Sequence, residues 1–353
     1  MLMTLAMPAE LQAEEDTRPA APVRIKVRSA DELRTAVRHS RLQALTLDGT
    51  AMTHILRFDA KRGVLEVQAA ATWAELAKYL AGRKLNIDAF AATPGLPAIV
   101  GEAVSGAAPG PDGLPVSAHV IGLTLVTPDG ELRRADRDTN AELLRAALGG
   151  QGVIGLLYSV TFAVASLSAS AADAAAPVAL DIPQSKPTHA AEYAFETLVP
   201  PAALEAYLAD VRALAEERRL TLLGLSVRRY RKDASACLAW ATQEWAGVRV
   251  RFGVRTTIGA SVAATEVRRA LITLALARGG AFLPRDLRYA TREQINACYP
   301  SLATLLRDKR RADPAGRLQN DWYREVLAKL RGERCDSRWT RSEADGALSG
   351  ART

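Results

Sequence analysis

The sequence predicts an α+β protein of two domains, each made of short strands, connecting helices and a core of its own. Three observations lead there. At 353 residues the chain is about twice the length of an ordinary domain of ~150 residues. Alternating strand-like runs and amphipathic helical runs follow one another, with neighbouring strands joined by tight turns as in antiparallel hairpins. A stretch of small residues, 166–177 (Ser-Leu-Ser-Ala-Ser-Ala-Ala-Asp-Ala-Ala-Ala-Pro), reads as a linker between two such series.

The elements follow in order. Residues 1–22, rich in Ala, Glu and Pro, read as a flexible lead-in. Val23–Val27 alternates apolar and basic residues as a strand does, and Ser29 caps a helix whose apolar stripe is Leu33, Ala36 and Val37. Strand-like runs at Ala44–Leu47, Ile55–Phe58 and Val64–Ala69 come next, the last two joined by a turn with Gly63 at the position that tolerates positive φ. Thr72 caps a helix over Trp73–Gly82. A strand over Val120–Val126, a Pro128-Asp129-Gly130 turn, a helix over Asn140–Leu148 and a strand over Val153–Val164 close the first domain, 23–165. The second, 178–330, reads as strands at Ala191–Leu198, Thr221–Tyr230 and Val248–Thr257 with helices at Ala203–Arg218 and Ala263–Ala277. Residues 331–353 read as a flexible tail.

Composition narrows the function classes. With 48% hydrophobic and 24% charged residues, the chain is neither fibre, disordered tail nor membrane channel, and no apolar run reaches the ~18 residues of a spanning helix. The net charge of +7 is uneven: residues 1–200 carry −4 and residues 201–353 carry +11. A basic half raises nucleic acid as a partner, but its arginines are scattered over helices and strands and no recognition module is present. Cys237, Cys298 and Cys335 are odd in number and far apart, and four histidines accompany them, so neither a disulfide framework nor a zinc site is expected. Reduced thiols and the absence of a basic, apolar leader pattern point to the cytoplasm.

Two glycine-rich clusters carry the chemistry. From Thr93 to Gly110 the residues are small and nearly uncharged, which lets a backbone approach a flat ring or a phosphate. Read alone, this is an ordinary surface loop. Leu148-Gly149-Gly150-Gln151-Gly152-Val153-Ile154-Gly155 places a tight turn between helix and strand; it is not the G-x-G-x-x-G of a dinucleotide fold. Read alone, it is a glycine helix cap leading into a core strand.

In this order and spacing the clusters resemble a known family. Pro94-Gly95…Ile99-Val100-Gly101…Ser105-Gly106 is similar to the "PGT…TVGGAIATNAHG" segment of PCMH-type FAD-binding domains, the vanillyl-alcohol oxidase/p-cresol methylhydroxylase superfamily. Residues 120–132 resemble its "V-x-x-L-x-L-V-x-x-D-G-x-x" hairpin, and residues 140–155 its "N-x-x-L-F-x-A-A-L-G-G-x-G-x-x-G" signature. Residues 309–320 resemble the "K-R-x-x-D-P-x-x-x-F-Q-N" of the substrate-domain tail, which in the family returns to the FAD domain with its Asn, here Asn320, near the isoalloxazine ring. Without the family, Asn320 is the cap of a following helix. The resemblance implies a PCMH-type FAD-binding domain of two α+β subdomains, an α+β cap with an antiparallel sheet, and non-covalent FAD. The implied activity is FAD-linked oxidation of a small organic substrate by hydride transfer, and the +11 second half would suit an anionic one. The residues it assigns to the cofactor are Pro94, Gly95, Ile99, Val100, Gly101, Ser105, Gly106, Gly150, Gly152, Val153, Ile154, Gly155 and Asn320.

The chain departs from the family at three places. The pyrophosphate loop "R-x-x-G-H-S-x-x-G" is missing: Val37-Arg38-His39-Ser40-Arg41 passes almost directly to Leu45-Thr46-Leu47, about 25 residues short, so the first subdomain is truncated. His39-Ser40 lacks the flanking glycines and is not carried over as a flavin attachment point. "NAHG" reads Ala107-Ala108-Pro109-Gly110, and Pro109 has no N–H to donate. The doubled glycine reads Gly101-Glu102, placing a carboxylate where a phosphate would be repelled. These departures keep a second reading open, a relative that has lost FAD and acts as a non-catalytic subunit or binding protein. No catalytic residue is assigned. Arg285, Asp286, Arg288 and Tyr289 are candidates but read more simply as a solvated loop, and Tyr230 among Arg228, Arg229, Arg231 and Lys232 as a strand end facing water.

Overall fold

A computed structural model of the chain describes residues 2–5, 23–39, 45–174, 177–180, 190–255 and 259–331. Three sheets organise them. The smallest opens the chain: β1 (Leu2–Leu5), β2 (Val23–Lys26), α1 (Ala30–His39) and β3 (Leu45–Asp48). β2 and β3 run parallel across α1, and β1 lies antiparallel on the far side of β3. The lead-in is therefore not wholly without structure, since Leu2–Leu5 is a paired strand; residues 6–22 lie outside the described residues. Glu32 N–H donates to Ser29 Oγ at 3.2 Å, capping α1, and Leu33, Ala36 and Val37 are buried.

The second sheet is wholly antiparallel. Its elements are β4 (Ile55–Asp59), β5 (Val64–Gln68), α2 (Trp73–Ala81), α3 (Asp88–Ala92), α4 (Val100–Ser105), β6 (Val120–Val126), β7 (Leu132–Asp136), α5 (Ala141–Ala147), β8 (Leu156–Ala163) and α6 (Val164–Ala172). The strand order is β4-β5-β8-β6-β7. A reciprocal capping box between Thr72 and Glu75 starts α2. Its apolar face brings Trp73 onto Phe90, stacked with ring centroids 4.7 Å apart.

α6 corrects the linker expectation over 166–172; residues 175–176 lie outside the described residues. Leu167 is fully buried and Ser170 nearly so, packed with the core under the second sheet. Alanine favours helix, and Val164, Leu167 and Ala171 share a face at three- and four-residue steps. A repetitive composition hid a short periodic stripe.

The cap is built from β9 (Val178–Leu180), β10 (Ala190–Val199), α7 (Leu204–Glu217), β11 (Thr221–Tyr230), β12 (Trp245–Arg255), α8 (Ala260–Ala277) and β13 (Ala281–Phe282), in the order β13-β10-β12-β11-β9. A short 3-10 helix (Pro284–Tyr289), α9 (Arg292–Cys298), α10 (Leu302–Ala312), β14 (Leu318–Gln319) and α11 (Asp321–Arg331) follow. β13 pairs with β10 at Thr197 and Leu198 alone, so among the described residues the edge of β10 at Ala194–Glu196 that faces away from β12 has no strand beside it.

The tail ties the domains together. β14 pairs with β1, matching Leu5 to Leu318. Lys309 and Asp313 form a buried ion pair, and Asp313 also accepts the Arg317 and Leu318 N–H groups at 3.0 and 2.8 Å. Arg317 in turn donates to the Val37 and Pro128 carbonyls. Elsewhere Trp240 Nε1–H donates to the Ala107 carbonyl at 2.7 Å, and Arg231 N–H to the Gly113 carbonyl at 2.9 Å. Ala107, Val153 and Ile154 from the first domain join the cap's own core. The two domains share one hydrophobic seam.

Candidate functional site

Two adjoining cavities lie at that seam. The first, about 320 Å³, is lined by Pro97, Glu102, Ser105, Gly106, Ala108, Gln151, Arg285, Asn320, Asp321 and Trp322. Three distant segments build it. α4 ends at Ser105 with Gly106 as its cap. The turn Gly149–Gly152 holds Gly149, Gln151 and Gly152 at φ of 69°, 55° and 71°, the left-handed region that glycine enters freely and glutamine does not. The turn is fastened to α4, with Gly149 N–H on the Val104 carbonyl and Gln151 N–H on that of Ser105 at 2.9 Å. Asn320 Nδ2 donates to the Gln151 carbonyl at 2.7 Å, while its Oδ1 accepts the Tyr323 N–H at 2.8 Å and caps α11. Asn320 is thus the helix cap the sequence offered, and it also ties the tail to the glycine turn.

The second cavity, about 340 Å³, opens at the unpaired edge of β10. Arg249, Arg268, Arg285 and Arg288 line it with Glu196, Asp286 and Tyr289. Arg285 reaches Glu196 at 3.7 Å and Asp286 at 3.7 Å, and its Nη1 donates to the Gly95 carbonyl at 2.9 Å. Glu196 accepts the Tyr230 hydroxyl in a buried hydrogen bond. Burial pushes the Asp286 carboxyl above its ordinary range, against the pull of Arg285, Arg288 and Arg268. Burial, reinforced by Glu196, likewise drives the Tyr230 phenol far up. Arg285 lines both cavities and joins them.

The structure distributes the sequence-assigned residues unevenly. Ser105, Gly106 and Asn320 line the first cavity, and Gly95 lines the second. Gly150 and Gly152 shape the turn behind Gln151 without lining either. A methyl group on Gly150 would stand 2.0 Å from the Ala146 carbonyl oxygen, so packing alone requires glycine there. Val153 and Ile154 are core residues, and Gly155 lies against Leu125. Val100 and Gly101 donate their N–H groups to Ala71 and Ala69 at 2.9 and 2.8 Å, so these amides meet the chain itself and not a ligand. Ile99 forms a bridge with Thr72, and Pro94 borders a small cleft beside Glu196.

Two simpler readings are overturned. Arg285, Asp286, Arg288 and Tyr289 are not a solvated loop but a wall of the second cavity. Tyr230 is buried, 1% exposed, and Arg228 beside it is 8% exposed. Sequence reasoning missed Gln151, Trp322, Glu196, Arg249 and Arg268. The strained Gln151 inside its glycine turn is the one with a local signal. Of the departures, Glu102 does line the first cavity, whereas Pro109 pairs with Pro115 in the loop that docks on the cap. Ser40 and Arg41 lie outside the described residues.

Two cavities in the seam between a glycine-turn α+β domain and an α+β cap are an arrangement suited to holding a ligand between domains. Comparison with known proteins narrows this. Residues 20–136 match the family model described as FAD binding domain. Among solved structures, an alkyldihydroxyacetonephosphate synthase superposes with a TM-score of 0.55 at 9% identity, over 83% of this chain and 76% of that one. No curated protein matches the chain in sequence. The fold is that of the PCMH-type FAD-binding proteins, and FAD is the cofactor that the matched domain indicates.

The first cavity fits the ring end of that cofactor. Gly106 and Ala108 leave a low wall, Ser105, Gln151 and Asn320 surround it with polar groups, and Trp322 adds an aromatic surface. About 320 Å³ is at the small end of ordinary ligand sites, ~300–1,000 Å³, enough for a ring system. Glu102 and Asp321 on its rim disfavour phosphate there.

Proposed function

We propose that the protein is an FAD-linked oxidoreductase that oxidises a small organic substrate by hydride transfer to the flavin. The observation that carries this reading is the meeting of Ser105–Gly106, Gln151 and Asn320, from three distant segments, around one ring-sized cavity that opens toward the cap. Bound flavin supplies the two-electron acceptor. The chain's own residues do the rest. Ser105, Gln151 and Asn320 are the polar residues that would hold the flavin, with Asn320 itself fixed by Gln151 and Tyr323. Trp322, its Nε1–H on the Pro284 carbonyl at 2.9 Å, screens the cavity from water. Arg285 reaches into both cavities and orients a substrate between them. Glu102 is the rim carboxylate placed to take a hydroxyl proton from a bound alcohol.

Anaerobic addition of a panel of small hydroxy and amino compounds to the FAD-loaded protein tests this. At least one is expected to bleach the flavin absorbance, and more slowly in Arg285→Gln. Flavin that binds at the seam but is reduced by none of them would count against the oxidation reading.

A further inference from the structure

The arginine-lined cavity is unusual in its charge. Four guanidinium groups, Arg249, Arg268, Arg285 and Arg288, face two carboxylates, Glu196 and Asp286. With both carboxylates ionised the lining keeps a charge of two positive units. The ion pairs these arginines make are long: Arg249 to Glu196 at 3.9 Å, Arg285 to Glu196 and to Asp286 at 3.7 Å each, and Arg288 to Glu325, outside the lining, at 3.9 Å. Arg268 and Arg288 both lie over the Tyr289 ring, at 4.6 and 4.9 Å from its centre. The Tyr289 ring thus has two guanidinium groups packed against it. Arg268 Nε is buried and makes no hydrogen bond among the described residues. A cluster of this kind is relieved by an anion that accepts from several guanidinium groups at once.

We propose that this cavity binds a tetrahedral oxyanion of two negative charges, the phosphate of a phosphomonoester substrate. The four arginines come from three separate elements, β12, α8 and the 3-10 helix after β13, so their donors converge from different directions. A planar carboxylate satisfies one arginine fork, whereas a phosphate offers three terminal oxygens. Arg285, shared with the first cavity, then sets the distance between the phosphate and the carbon presented to the cofactor. That last step rests on the proposed function; the anion site itself does not.

Calorimetric titration of the full chain with inorganic phosphate, sulfate, malonate and acetate, at constant ionic strength and without added substrate, tests the site. Phosphate and sulfate are expected to bind at least tenfold more tightly than malonate, and acetate not measurably. Arg268→Gln and Arg249→Gln should each weaken phosphate at least tenfold, with near-ultraviolet circular dichroism confirming the fold. Arg251→Gln, an exposed arginine paired with Glu192 outside the cavity, should leave it unchanged. No phosphate binding by the wild-type chain, equal or tighter malonate binding, or phosphate binding unaltered in both cavity variants would overturn the proposal. Phosphate binding without flavin reduction by any compound would defeat the proposed function alone.

Discussion

The two cavities share Arg285 and little else. The first is framed by backbone geometry: Gln151 held out by a glycine turn, the end of a short helix, and one asparagine bonded to the turn, with Glu102, Arg285 and Trp322 alongside. The second is walled by long charged side chains brought from residues 194 to 289 onto the open edge of one strand. The difference teaches where a site is visible in a sequence. A backbone-built site needs particular residues at particular steps, because glycine enters positive φ without strain and alone leaves room where a Cβ would stand 2.0 Å from a carbonyl oxygen. A site built from side chains on regular elements imposes no local pattern. Arginines on a strand and a helix look the same whether they face water or a ligand.

The contrast can be broken first at the tail that holds both cavities in place. Asp313→Ala leaves Lys309 charged and buried and frees two backbone N–H groups. Chemical denaturation should show a loss of about 3–5 kcal/mol. A loss under 1 kcal/mol would mean the tail does not brace the seam. Next comes the glycine turn. Gly150→Ala drives a methyl into the Ala146 carbonyl and should cost about 1–3 kcal/mol. Flavin affinity should fall with it, since Gln151 moves. A variant as stable as the parent would show that the turn yields.

A smaller effect is expected where the cap meets the first domain. Trp240→Phe removes the hydrogen bond to the Ala107 carbonyl and should destabilise by about 0.5–1.5 kcal/mol, read from the same denaturation curves. The smallest concerns Asp286. Because its folded carboxyl titrates above the unfolded value of 3.8, the folded state holds a proton that the unfolded state has already lost. This contribution favours folding at low pH and disappears as pH rises through the folded pKa. Asp286→Asn should therefore flatten the pH dependence of stability in that window. An unchanged slope would place the carboxyl in water.

Most of the architecture was legible. The hairpin at Gly63, the capped helix after Thr72, the β6–β7 hairpin and the strands of the cap follow from period, caps and turns. Residues 166–172 were misread as linker because alanine and serine in repetition resemble an unstructured connection, while a few apolar residues at helical spacing suffice for a packed helix. Val100 and Gly101 show a subtler error: glycine marks close backbone approach, and here the approaching group is Ala69, not a ligand. Asn320 was placed by motif, since nothing local indicates that its partner is Gln151, 169 positions away. Glu196, Arg249 and Arg268 carried no signal, because burial at a strand edge depends on how little of β13 pairs with β10. Tyr230 looked exposed amid its arginines, yet one bond to Glu196 takes it into the core.

The central claim is that a flavin seats at the seam between the Gly149–Gly152 turn and Asn320. The visible absorbance spectrum of the purified chain, before and after incubation with FAD and removal of the free cofactor, tests it most directly. Flavin bands retained by the wild-type protein, with a raised melting temperature, and a clear loss of both in Asn320→Ala are the result predicted. A colourless protein that FAD neither stabilises nor stains would contradict it.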